Sequence, residues 1–138
     1  MKKLSLIMLL SLTTSLAFAQ DSFQVVLHKK IVLSSAEFSA EKNVKLIKST
    51  DWKKNGNLEV QYKAGSPSAR WSYKLQFADE KGNMLMEKDS SAAKISTQTL
   101  RKLFAGKKQI IISIMIAPSD PMMMAPAKMK QLATLKLP

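Results

Sequence analysis

The chain of 138 residues contains no cysteine, one histidine, four glycines, five prolines and only 10 acidic residues against 22 basic ones. Without cysteine there are no disulfide frameworks, thiolate zinc sites, iron–sulfur clusters, cysteine nucleophiles or lipid-modified cysteine anchors. A single histidine, His28, leaves little for acid–base or metal chemistry. No G-x-S-x-G elbow, phosphate-binding Walker loop, H-E-x-x-H helix or calcium loop is present. Two S-x-x-K matches, Ser39 to Lys42 and Ser91 to Lys94, are as many as the composition supplies by chance, and the partner motifs of serine–lysine acylases are missing. Glu37 and Glu41 at i, i+4 read as a solvated face, and Asp79, Glu80 and Asp120 as turn residues. No catalytic constellation and no cofactor are expected.

What is present is a globular composition, 46% hydrophobic and 23% charged, with a net charge of +12. Residues 1–19, MKKLSLIMLLSLTTSLAFA, have the three parts of a secretory signal. Lys2 and Lys3 lead, an apolar stretch follows, and Ala17-Phe18-Ala19 gives a small-x-small cleavage site. The apolar stretch is short of the roughly 20 residues that span a bilayer. Cleavage after Ala19 is expected, leaving residues 20–138 as one domain, periplasmic or secreted, with no transmembrane segment. Loss of Lys2 and Lys3 leaves 20 basic and 10 acidic residues, a charge of +10.

The dominant period in residues 20–138 is two, the signature of half-buried strands. Trp71, Tyr73, Leu75 and Phe77 alternate with Ser72, Lys74 and Gln76. The turn Asp79-Glu80-Lys81-Gly82-Asn83 then leads into Met84 to Glu87, which predicts a β-hairpin. Asn55-Gly56 predicts a second, between Val44 to about Trp52 and the alternating Leu58 to Lys63. Phe23 to Leu27 and Ile31 to Leu33 give one strand or two pieces of one, with His28 on a strand surface. Gln109 to Ala117 is apolar on both faces and β-branched, as in a central strand, and Pro118 stops it. In the last strand, Met129, Ala133, Leu135 and Leu137 should share one face, and Lys128, Lys130, Thr134 and Lys136 the other. One short helix is predicted, capped by Ser96 or Thr97, with Leu100, Leu103 and Phe104 on one side and Gly106 at its end.

These elements predict an all-β fold: an antiparallel β-sandwich of about seven strands with one short helix, with a small β-barrel as the alternative. The pattern resembles the immunoglobulin-like class of bacterial envelope modules over residues 22–138, without the cysteine pair of antibody domains. The resemblance implies a non-catalytic module that binds or supports an envelope component.

Two groups of side chains are candidates for binding. Met122, Met123, Met124 and Met129 concentrate thioethers, the soft ligands for Cu(I) in a cysteine-free chain, so Met122, Met124, Met129 and His28 form a candidate copper set and suggest a periplasmic Cu(I) carrier. The alternatives are that the methionine loop packs over the open end of the sandwich, or offers an apolar patch to a partner. The lysines, among them Lys53, Lys54, Lys128, Lys130 and Lys136, suit loose attraction to an anionic envelope glycolipid, glycan or acidic protein, or a soluble surface that guards strand edges. After export lysine outnumbers arginine 18 to 2, which disfavours sequence-specific nucleic-acid binding, where bidentate arginine is the usual reader.

Overall fold

The computed structural model describes residues 20–66 and 70–138. The expected export segment, residues 1–19, lies outside them. The described chain forms β1 (Ser22–Leu27), β2 (Lys30–Ser35), β3 (Val44–Leu46), α1 (Ser49–Lys53), β4 (Asn57–Lys63) and β5 (Trp71–Ala78). It continues with β6 (Met84–Lys88), β7 (Ala92–Ser96), α2 (Thr97–Leu103), β8 (Gln109–Pro118) and β9 (Lys128–Lys136).

These strands make two sheets, one ordered β2-β1-β4-β7 and the other β3-β9-β8-β5-β6. Among the described residues each sheet has two edges and no ladder joins them, so the fold is a sandwich and the barrel alternative is set aside. Phe23, Val25, Leu58, Val60 and Tyr62 from the first sheet meet Leu75, Phe77, Ile110, Ile112 and Ile114 from the second in one buried core. The alternation that predicted β4 is the alternation that is buried, because neighbouring side chains of a strand point to opposite faces; in β5 Leu75 and Phe77 are buried, and Gln76 between them is buried as well. The β5–β6 hairpin turns at Gly82, whose φ of 83° only glycine adopts without strain. Ser96 caps α2 by accepting the Thr99 N–H, and Gly106, with φ 76°, follows its end.

Four expectations are corrected. Val44 to Trp52 is not a strand entering a hairpin: β3 stops at Leu46, pairs in parallel with β9, and gives way to α1. β4 therefore pairs with β1 and β7, and Asn55-Gly56 joins a helix to a strand rather than turning a hairpin. Trp52 on α1 packs against the core. Second, the front of the chain is two strands, not one interrupted strand, and His28 is not a strand residue. β1 and β2 form a hairpin closed by His28 and Lys29, both with positive φ, the geometry of a tight type I′ turn without its usual Asn-Gly. Third, the fold has nine strands and two helices among the described residues, more than about seven and one.

The fourth correction concerns the lysines. Ala133 of β9 pairs with Ile112 and Gln131 with Ser113, so Leu132 is an extra, bulged residue. One inserted residue reverses which face each earlier side chain takes. Lys130 thus pairs with buried Ile114 and points toward the interior side, while Met129 pairs with Met115 and is 56% exposed.

Candidate functional site

Each strand of β1 and β9 has one terminus at each end of the sandwich, and the candidate residues divide between those ends. Asp21 lies just before β1 and His28 just after it, roughly 20 Å of strand apart. The first end holds Asp21, Lys128, Lys130 and the loop from Pro118 to β9 that carries Met122, Met123 and Met124. The second holds His28, Lys53, Lys54 and Lys136. The copper set is therefore not brought together as a whole: His28 stands apart from the methionines. The lysine set is likewise split.

At the first end, Asp21 is a hub. Its carboxylate accepts from Lys130 Nζ at 2.8 Å, from the Tyr62 hydroxyl at 2.5 Å and from the Gly65 N–H at 2.8 Å. Those donors, Lys130 foremost, hold the Asp21 carboxyl at about 2. Burial and the neighbouring Asp21 charge push the Tyr62 hydroxyl well above its ordinary value. Lys130 Nζ also lies 4.6 Å from the centre of the Phe38 ring, a cation–π contact. Phe38 belongs to a tilted chain of rings, Phe23–Phe38–Tyr62–Tyr73, with centroids 5.7–6.1 Å apart. Lys130 is thus bound internally rather than offered to a partner, whereas Lys128 is exposed. No spacing or motif in the sequence links residues 21, 62 and 130, and no local signal pointed to this cluster.

The methionine loop is braced by Asp120, whose carboxylate accepts the Met122 N–H at 2.9 Å and whose backbone carbonyl accepts the Met123 N–H at 3.0 Å. Met123 is half-buried, but Met122 and Met124 are 85% and 96% exposed. These two do not pack over the sandwich, which removes the packing alternative for them. Beside the loop, a shallow cavity of about 540 Å³ is lined by Trp71, Tyr73, Lys74, Asp89, Met115 and Ala117, where β6 stops short of the first half of β5.

At the second end His28 Nε2 is 2.7 Å from the Asp51 carbonyl, which fixes it as the donor in the neutral ring. Nδ1 is shut off from solvent without a hydrogen-bond partner among the described residues. The ring lies against Gly56, where a Cβ would overlap Nδ1 and fall 2.6 Å from Cε1. Buried Thr97 organises the same corner: its hydroxyl accepts the Gly56 N–H at 3.1 Å and donates to the Lys54 carbonyl at 2.8 Å. Arg101 donates to the Trp52 carbonyl at 2.7 Å and to Asn55 Oδ1 at 2.7 Å. A cavity of about 340 Å³ here is lined by His28, Lys29, Lys54, Asn55, Asn57 and Lys94.

The one buried carboxylate among the described residues, Asp79, is structural. Asp79 accepts the N–H groups of Lys81 and Asn83 across the β5–β6 turn and pairs with Lys107 at 3.0 Å. Burial opposes its ionisation, but Lys107 and the turn donors outweigh burial and hold the carboxyl below the ordinary aspartate range. Among the described residues no three His, Asp or Glu side chains gather as a metal site, and no helix is long and apolar enough to cross a membrane. Comparison with protein families, curated proteins and solved structures finds no match to this chain.

Proposed function

We propose that the chain is an exported, non-catalytic β-sandwich module, periplasmic or secreted, that binds an anionic and amphiphilic component of the bacterial envelope, of which a phosphorylated glycolipid is the simplest example. The observation that carries this reading is the methionine loop. Met122 and Met124 present flexible apolar side chains to solvent, and Lys128 is exposed four residues beyond Met124. Apolar side chains suit acyl chains or sugar faces, and the net charge of +10 on residues 20–138 draws anions toward the surface. The basic, three-part segment at residues 1–19 supports export.

The test is binding of the exported chain to vesicles that carry a phosphorylated glycolipid, at low and high salt. Binding that weakens with salt, and weakens again in Met122→Ser/Met124→Ser, supports the reading. Binding that ignores salt, or a preference for a soluble acidic glycan or acidic protein over the vesicles, overturns the glycolipid. Retention of the chain in the cytoplasm with residues 1–19 intact overturns the export step, and a first residue other than Gln20 in the extracytoplasmic protein moves the cleavage site.

A second reading, a Cu(I) carrier, draws on the same exposure, because the Met122 and Met124 thioethers are free to turn toward a soft ion. Met129 is the third ligand in that case, without His28 from the far end. Titration with Cu(I) of the wild type against Met122→Ala/Met124→Ala decides it, and equal affinities end it.

A further inference from the structure

We propose that Met122 and Met124 are a modification site: a thioether pair that peroxide oxidises to sulfoxide ahead of the other described methionines, changing the loop's polarity while leaving the sandwich folded. This goes beyond the binding reading and does not depend on it.

Thiols normally intercept peroxide first, and this chain has none, so its most readily oxidised side chains are thioethers. A sulfur reacts when an oxidant reaches its lone pair, which a packed sulfur allows only after local opening. The seven methionines of residues 20–138 divide sharply on that basis. Met124 and Met122 are 96% and 85% exposed, Met129 and Met84 are 56% and 48% exposed, and Met86, Met115 and Met123 are half-buried.

In the reaction the sulfur lone pair attacks one oxygen of hydrogen peroxide. The O–O bond breaks as the S–O bond forms, and the second oxygen leaves as water after taking up the proton of the first. Sulfur loses two electrons and peroxide gains them, so one peroxide is consumed per sulfoxide. The product is a polar, acceptor-bearing side chain in place of an apolar one. At Met122 and Met124 this disturbs no packing. The backbone brace from Asp120 does not involve either sulfur, so the loop keeps its shape while its apolar surface is lost.

The experiment is built into the sequence. Trypsin releases Gln109–Lys128 as one peptide, containing Met115, Met122, Met123 and Met124. The full chain is treated with hydrogen peroxide, quenched, digested and read by fragment mass spectrometry, in native buffer and in guanidinium. In the native chain, oxygen is expected at Met124 and Met122 several-fold faster than at Met123 and Met115, with the four rates converging in guanidinium. The thermal midpoint should stay constant until those two sites are filled, and Met122→Leu/Met124→Leu should lack the fast phase. Equal native rates at Met122, Met123 and Met124, an unchanged pattern in guanidinium, or a midpoint that falls with the first two oxygens overturns the proposal.

Discussion

Lys130, near the start of the last strand, holds Asp21, just ahead of the first, at 2.8 Å, and so ties the first and last strands together across the mouth of the sandwich. The pair sits on the interior side because Leu132 bulges out of register, and it is completed by the Tyr62 hydroxyl and the Phe38 ring. Neither partner is deeply buried, so the interaction is modest in energy but fixed in geometry.

Acid should expose this link. Asp21 titrates at about 2 in the folded chain against 3.8 in an unpaired aspartate. A lowered carboxyl stabilises the fold fully above the unfolded value and loses that contribution as pH falls from 3.8 toward 2. Thermal midpoints measured across that window should fall more steeply for the wild type than for Asp21→Asn. Parallel curves would show that Asp21 contributes nothing.

Reversal of charge should separate two lysines that the sequence treats alike. Lys130→Glu sets a carboxylate against Asp21 and should cost on the order of 1–3 kcal/mol, whereas exposed Lys128→Glu should stay within about 0.5 kcal/mol. Urea unfolding of both variants reads the difference, and equal midpoints would contradict the inward placement of Lys130.

Gly56→Ala should be destabilising by about 1–3 kcal/mol, the range for overpacking, because its methyl meets the His28 ring. His28→Asn keeps a residue suited to the positive φ at this turn and removes the ring. In that background Gly56→Ala should cost far less, and a double-mutant cycle measures the coupling. Additive costs would place the strain elsewhere.

Thr97→Val keeps the shape of a fully buried side chain but strands the Gly56 N–H and leaves the Lys54 carbonyl with only its 3.3 Å hydrogen bond from Arg101. A loss of about 1–3 kcal/mol is expected, with most of it restored in Thr97→Ser. Amide exchange should localise the loss to the Lys54–Gly56 segment; uniform loosening of the whole sandwich would argue against a local role.

What the sequence determined by itself was local. Alternation wrote β4 and β5, Gly82 wrote the turn between β5 and β6, and Ser96 with Gly106 bounded α2, because side-chain direction, positive φ and end capping depend on residues within a few positions of one another. What only the tertiary structure decided depends on register and on partners far along the chain. His28 and Lys29 turn a hairpin that carries no turn signal, because β1 and β2 pair tightly on either side of them. One bulged residue, Leu132, moves Lys130 inward and Met129 outward, a reversal invisible to a strict period of two. Three identical neighbours, Met122, Met123 and Met124, take different exposures in a loop whose backbone Asp120 braces, a difference set by tertiary placement and not by residue type.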